Sequence, residues 1–131
     1  DVNDLNKHDQ SNPIFYINYA NARIHNMFEK ANITIEDVYK SDISDLNEEA
    51  IDLLFEALLL PEILELAFEQ RSVNKVADYL KTLASSLHKF YNEHRVLGTP
   101  HQNGYLKVLL SVSNTIETSL SLLGIKAKRF M

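Results

Sequence analysis

The segment SVNKVADYLKTLASSLHKFYNEHRVLG, residues 72–98, shows the clearest helical pattern in this 131-residue chain. At about 100° per residue, the rotation of an α-helix, its large apolar side chains fall on one face. These side chains are Val76, Leu80, Leu83, Leu87 and Phe90. Ser72 is a common N-terminal cap and Gly98 a common C-terminal one. The pattern therefore predicts one long amphipathic helix, capped by Ser72 and Gly98, whose apolar face requires partner helices.

The first predicted helix begins at Asn12 and Pro13 and runs to about Ala31. Asparagine is a favoured cap. Proline fits the first helical position because an N–H there would have no acceptor within the helix. Apolar residues then recur at intervals of three and four, which is typical of one buried face. The predicted core stripe consists of Ile14, Ile17, Ala20, Ile24, Met27, Phe28 and Ala31.

The other predicted elements are also helices. Pro61 cannot lie comfortably inside a helix, so the apolar run before it must break and restart there. The predicted elements are a short capped turn at Thr34–Asp37, helices from Asn47 through Leu60 and from Pro61 to about Arg71, a loop at 98–104 and a helix at 105–123. No segment alternates with period two. We therefore predict an all-α bundle of about five helices, forming a single domain over residues 1–131.

The composition argues against several classes of protein. The chain has no cysteine, and its five histidines form no metalloprotease-type pair, so we expect neither a disulfide nor a metal site. No run approaches the roughly 20 apolar residues of a membrane span, and the N-terminus lacks the pattern of a signal peptide. We therefore expect a cytoplasmic protein without a membrane partner.

Charge is distributed unevenly along the chain. The formal net charge is −5, but residues 29–69 hold twelve acidic residues against two lysines, whereas residues 70–131 are net basic. A polyanion could dock on the basic half if that half presents its charge on one face.

Lys81, His88 and Arg95 recur every seven residues of the segment 72–98, which predicts a cationic column on one flank. Tyr91 lies at its edge, four residues before Arg95. Unpaired RNA bases stack on tyrosine rings and guanidinium planes while cations contact phosphate, so this arrangement suits a single-stranded RNA loop. The alternative is a solvated helix face with a boundary tyrosine.

The first helix repeats this arrangement, because Tyr16, Tyr19 and Arg23 fall on one flank beside its core stripe. The rings could stack on bases, or they could simply bury a ring and expose a hydroxyl. Phe15 lies nearly opposite the core with Tyr19 and Ala22 beside it. Such an apolar patch predicts a contact with another domain.

Three segments resemble one family. NPIFYINYANAR, residues 12–23, resembles the NPxYYxQYAHAR segment of the C-terminal anticodon-binding (DALR) domain of arginyl-tRNA synthetases. LASSLHKFYNEHRVL, residues 83–97, is similar to that family's LAxxFHxFYxxxRVL helix. The final residues, 122–131, are similar to its LLGIxxPxxM ending. Asn18, Asn21 and Lys128 depart from the usual glutamine, histidine and tail proline, and we expect a tail less rigid than usual.

The resemblance implies that the anticodon stem-loop of arginine tRNA binds a surface containing Tyr16, Tyr19, Tyr91, Arg95 and Met131. The charges in the sequence add Arg23, His88 and a basic tail of Lys126, Lys128 and Arg129. The family also implies a catalytic domain as partner, in a parent that joins arginine to tRNA with ATP and Mg²⁺. The chain itself carries no catalytic motif and no cofactor-binding motif, and we expect it to be a monomer.

Two other hypotheses remain open. The chain could be a helical protein-interaction bundle that uses the Phe15 patch and has no RNA role of its own. It could also be a small helical enzyme, for which Glu93 and His94 are the best candidate pair. Adjacent residues on a helix point apart, which argues against that pair.

Overall fold

The first helix begins where its capping residues place it. In the computed structural model, which describes residues 12–131, the Asn12 side chain accepts a hydrogen bond from the Phe15 N–H at 3.3 Å. Pro13 occupies the first turn of the helix. The helix ends at Asn32, which adopts a left-handed φ of 51° and donates its N–H to the last turn. The start and the end are both as predicted.

Six α-helices make up the described part of the chain, and they correspond to the five predicted helices plus the short turn capped by Thr34. They are α1 (Pro13–Ala31), α2 (Ile35–Tyr39), α3 (Glu48–Ala57), α4 (Leu60–Gln70), α5 (Asn74–Glu93) and α6 (Gln102–Leu122). Residues 12–131 contain no strand, so the all-α prediction is confirmed for this range. The predicted domain also includes residues 1–11, which lie outside the described residues.

The core forms where α5 and α6 meet the other helices. Helix α5 packs against α1, α3, α4 and α6, and α6 packs against α1, α2 and α3. The stripe predicted for α5 is confirmed, because all five of its side chains are buried. Helix α6 completes the core with Leu106, Leu109, Val112, Ile116 and Leu120. No residue of α4 is fully buried, and its main packing partner is α5.

The boundaries of α5 differ from the prediction. Ser72 does not cap it through its side chain, and the helix ends at Glu93, five residues before Gly98. His94 is extended, its ring lies 4.8 Å from that of Phe90, and Val96 is buried. The chain leaves the helix because burying Val96 outweighs the local helical preference. Arg95 therefore lies beyond the helix.

Helix α3 ends at Ala57 rather than Leu60. Pro61, four residues after Ala57, has no N–H to donate to the Ala57 carbonyl, and other helices supply donors instead. The Tyr79 hydroxyl donates to the carbonyls of Glu56 and Ala57 at 2.6 and 3.0 Å. Thr115 donates to the Ala57 carbonyl as well, at 2.8 Å. The predicted restart near Pro61 is confirmed, since this residue lies in the first turn of α4.

Two smaller predictions were wrong. Helix α6 begins at Gln102, three residues earlier than expected. Ile14, which we placed in the core, is 40% exposed because it lies in the first turn of α1, before the helix meets its neighbours. None of the helices in residues 12–131 is long and apolar enough to cross a membrane.

Gly104 lies in the first turn of α6 against the loop before α3, and a Cβ there would lie 2.6 Å from the Asp42 carbonyl oxygen. In an open helix, alanine is more stable than glycine by about 1 kcal/mol. Here we expect Gly104→Ala to destabilise the fold by about 1–3 kcal/mol, because backbone must move to admit the methyl group. Thermal unfolding followed by circular dichroism measures the change.

The matched control is Asn114→Ala at an exposed position of the same helix. It gains helix propensity without a clash, so its melting temperature should equal or exceed that of the parent chain. A Gly104→Ala variant as stable as the Asn114→Ala variant would contradict the close contact.

Candidate nucleic-acid interface

Arg23 lies between two tyrosine rings. Its guanidinium carbon is 4.7 Å from the ring centroid of Tyr19, which lies one turn earlier on α1, and 4.3 Å from that of Tyr91 on α5. A guanidinium at these distances is attracted to the ring faces. The cationic partner of Tyr91 is therefore Arg23, not Arg95 as the predicted helix implied.

Arg95 lies two residues beyond the end of α5. Its exposed side chain donates from Nε to the Leu97 carbonyl at 3.1 Å. The predicted column of Lys81, His88 and Arg95 does not form, because its last member has left the helix.

His88 is hydrogen bonded at both ring nitrogens. Its Nδ1 lies 3.1 Å from Nη1 of Arg23, and its Nε2 lies 3.3 Å from the carbonyl oxygen of Tyr16. A guanidinium can only donate, so Nδ1 accepts and Nε2 carries the proton. Burial lowers the pKa of His88 more than its hydrogen bond to the Tyr16 carbonyl raises it, and the positive charge of Arg23 also lowers it. His88 is therefore a neutral link rather than the cation that we predicted.

Tyr16 is held on the same side of the bundle. Its hydroxyl donates to Oγ of Ser85 at 3.2 Å, and its ring lies 4.6 Å from that of His88. The Tyr19 ring meets the His88 ring edge-on at 5.3 Å. The rings of Tyr16 and Tyr19 thus pack inside the protein and also border a surface depression. Base stacking on them stays a prediction.

Two depressions adjoin at Tyr19 and Arg23, and together we call them the aromatic groove. The larger, of about 520 Å³, is lined by Phe15, Tyr19, Ala22, Arg23, Asn26, Tyr91, Arg129, Phe130 and Met131. The smaller, of about 380 Å³, is lined by Tyr16, Tyr19, Arg23, His88 and Asn92. Phe15 therefore lies in the groove itself, with its ring 6.5 Å from that of Tyr19. None of the lining residues comes from the acidic helices α2, α3 and α4.

The C-terminal segment forms one wall of this groove because two asparagines of α1 hold it there. The Lys128 N–H donates to Oδ1 of Asn18 at 2.8 Å, and the Lys128 carbonyl accepts from Nδ2 of Asn21 at 3.0 Å. Asn18 and Asn21 are two of the three positions that depart from the family motif, and both amides bind the tail backbone. The less rigid tail expected from Lys128 in place of proline stays a prediction.

Glu117 of α6 also holds the C-terminal segment in place. It accepts two hydrogen bonds from Arg129, both at 2.9 Å, and one from Asn21 at 2.9 Å. The bond from Arg129 is the main cause of the lowered pKa of Glu117. Arg129 is exposed but paired with Glu117, so it is not wholly available to phosphate, whereas Lys126 and Lys128 are exposed.

His25 lies beside Glu117, with Nε2 at 3.2 Å from the carboxylate and 3.0 Å from Oγ of Ser113. Burial lowers the pKa of His25 even though the carboxylate raises it. The contact between His25 and Glu117 is therefore a hydrogen bond from a neutral ring.

Sequence reasoning missed Asn18, Asn21, Glu117, Asn26 and Phe130. One signal was available for Asn21. It lies four residues after Ile17 and three before Ile24, and thus on the core stripe, where a buried amide must find partners. Glu117 and Phe130 gave no such signal, because their contacts join residues far apart in sequence.

A separate depression between α3 and α5 is acidic. Its lining includes Glu49, Asp52, Glu56, Glu93 and His94. Glu93 and His94 thus share a depression, contrary to our expectation, because His94 lies past the helix end. Among residues 12–131, no three histidine, aspartate or glutamate side chains are grouped to hold a metal ion.

Comparison with known proteins gives a consistent result. The DALR anticodon binding domain family matches residues 17–131. The chain is 51% identical over its whole length to the arginine–tRNA ligases of Campylobacter jejuni and of a Nitratiruptor species, and it covers 25% of each. It therefore spans about a quarter of the length of the curated relatives it matches.

Solved structures agree with the sequence relatives. The crystal structure of the Campylobacter jejuni protein assigned as an arginyl-tRNA synthetase superimposes with a TM-score of 0.95 at 51% identity, covering 100% of this chain and 29% of that one. The arginyl-tRNA synthetase of Thermus thermophilus gives a TM-score of 0.79 at 30% identity, with coverage of 88% and 21%.

Because Glu117 helps the two asparagines to hold the tail, Glu117→Ala should loosen it. This change leaves Arg129 and one Asn21 donor without their partner, which we expect to cost about 1–3 kcal/mol. Trypsin should then cleave faster after Lys126 and Lys128, as followed by mass spectrometry. The matched control is Glu69→Ala, an exposed acid on α4. Equal cleavage rates in the Glu117→Ala and Glu69→Ala variants would show that Glu117 does not hold the tail.

Proposed function

The chain belongs to the DALR anticodon-binding domain family, and on that premise we propose that its aromatic groove binds the anticodon loop of arginine tRNA. The observation that carries this proposal is the stack of Tyr19, Arg23 and Tyr91. An anticodon loop offers unpaired bases, and proteins hold such bases by stacking them on tyrosine rings or guanidinium planes.

The rings of Tyr19 and Tyr91 already pack against other side chains in the absence of RNA. Tyr19 touches Phe15, His88 and Arg23, and Tyr91 is held against Arg23 across two helices. A binding surface that is already ordered loses less conformational entropy on association. The groove therefore supports base stacking better than the same rings would on mobile side chains.

Positive charge around the groove suits the RNA backbone. Arg23 lies at its centre, and Lys126 and Lys128 are exposed on the segment that forms one wall. In this proposal Arg95, exposed just beyond α5, adds charge beside the groove, and Met131 contacts a base from the tail. The acidic depression lies between α3 and α5, outside the groove lining, which favours docking of phosphate at the groove alone.

We further propose a place for the domain in a longer parent. Its relatives are arginine–tRNA ligases about four times as long. In such a parent, anticodon binding would position arginine tRNA for ATP- and Mg²⁺-dependent aminoacylation by a separate catalytic domain, in a cytoplasmic monomer. Residues 1–131 would form one domain of it. Phe15, which lines the larger depression of the groove, is the residue proposed to contact the catalytic domain.

Tyr91→Ala tests the proposed groove. Loss of a ring that carries a base costs about 1–3 kcal/mol, so we expect about tenfold weaker binding of arginine tRNA. Tyr91→Phe keeps the ring, and its affinity should remain close to that of the parent chain. Fluorescence anisotropy with a labelled anticodon stem-loop measures both.

The matched control is Tyr39→Ala, which removes an exposed ring of α2 outside the groove. Each variant must first show the melting temperature of the parent chain. A folded Tyr91→Ala variant that binds arginine tRNA as well as the Tyr39→Ala variant does would refute the placement of a base on Tyr91.

A further inference from the structure

Within residues 12–131, Arg23 donates a hydrogen bond to a histidine that makes no ion pair. Tyr19 and Tyr91 attract the guanidinium through their ring faces, but such attraction does not fix its rotation. The contact that sets the direction of one N–H is the 3.1 Å bond from Nη1 to Nδ1 of His88. The ring is in turn oriented by the bond from its Nε2 to the Tyr16 carbonyl and by the Tyr16 ring.

We propose that His88 is a positioning residue for RNA binding, whose neutral ring accepts a hydrogen bond from Arg23 and thereby holds the guanidinium between Tyr19 and Tyr91. This inference rests on the proposed function of the groove. It differs from the sequence-based interpretation, in which His88 is a cation that contacts phosphate itself. In the structure His88 acts through Arg23, and Arg23 presents the charge.

The two roles predict opposite responses to pH. A histidine that contacts phosphate gains a charge as the pH falls, so binding would strengthen. A positioning histidine loses its acceptor when Nδ1 is protonated and places a second positive charge beside Arg23. Binding would then weaken as the pH falls.

The surroundings of the ring favour the neutral form. From α1, the charged or titratable side chains at this depression are Arg23, Tyr16 and Tyr19; from α5, the ring's neighbour is the neutral Asn92. Within the described part of the chain, no carboxylate lines this depression to stabilise an imidazolium. Burial lowers the pKa of His88 from its ordinary value of 6.5; the hydrogen bond to the Tyr16 carbonyl raises it in part, and the charge of Arg23 lowers it again.

The same titration makes the stability of the folded chain depend on pH. Because the pKa of His88 is lower in the folded chain, the unfolded chain binds more protons below about pH 6.5. Stability is therefore present at neutral pH and falls as the pH decreases. Binding must be measured well below the melting temperature at each pH.

The experiment compares the parent chain with His88→Gln and His88→Leu. Glutamine offers an amide oxygen to Arg23 and does not titrate, whereas leucine has a similar bulk and no acceptor. Binding of an arginine tRNA anticodon stem-loop is measured at about pH 7.5 and about pH 5.5. The parent chain should lose affinity as the pH falls through the lowered pKa of His88, by about tenfold once Nδ1 is fully protonated, the value expected for a lost hydrogen bond to a charged group. His88→Gln should change little, and His88→Leu should be weak at both values.

A spectroscopic measurement separates this inference from the proposed function. The nitrogen chemical shifts of His88 report its tautomer, and slow exchange of the Arg23 guanidinium protons reports their hydrogen bond. We expect an Nε2-protonated ring and protected Arg23 protons in the parent chain, with protection retained in His88→Gln and lost in His88→Leu.

The outcomes are distinguishable. If the parent chain binds more tightly at about pH 5.5 and His88→Gln does not, His88 contacts phosphate and the inference fails. Equal affinity of the parent and His88→Leu chains also overturns it. If neither the parent chain nor the two variants bind the stem-loop, but the nuclear magnetic resonance results are as expected, the proposed function fails. The orientation of Arg23 by His88 then stands.

Discussion

The side-chain amide of Asn21 is completely buried, and a buried amide is costly unless it is hydrogen bonded. Its oxygen accepts from Ser113, and its nitrogen donates to Glu117 and to the Lys128 carbonyl. These partners lie on α6 and on the C-terminal segment, so one side chain of α1 joins three parts of the chain. The C-terminal segment forms one wall of the groove, and this amide helps to hold it there.

Local chemistry made much of the fold predictable. Asn12, Thr34 and Asn47 each cap the helix that they precede, and Pro61 starts a new one. The apolar stripe of α5 was predictable because its side chains repeat with the helical period. What failed was the end of α5 at Glu93, after which the chain turns to bury Val96. The end of α3 had a local signal, because Pro61 has no N–H for the Ala57 carbonyl, but the distant donors Tyr79 and Thr115 had none.

The candidate site divides in the same way. The residue types of the groove were predictable, since Tyr16, Tyr19, Arg23 and Tyr91 lie beside the stripes of two helices. Their pairing was not, because it depends on where α5 ends and on how α1 crosses it. The positive charge predicted for His88 was also not found, because burial of the ring beside a guanidinium lowers its pKa below that of a free imidazole.

Helix α4 differs from its neighbours because none of its residues is fully buried, and Phe68 is 85% exposed. A segment with so little buried surface is expected to open at a lower free energy than the core does. Its amide hydrogens should exchange with solvent as one early unit. Because no groove residue comes from α4, we expect such opening, and substitutions in this helix, to affect the groove little.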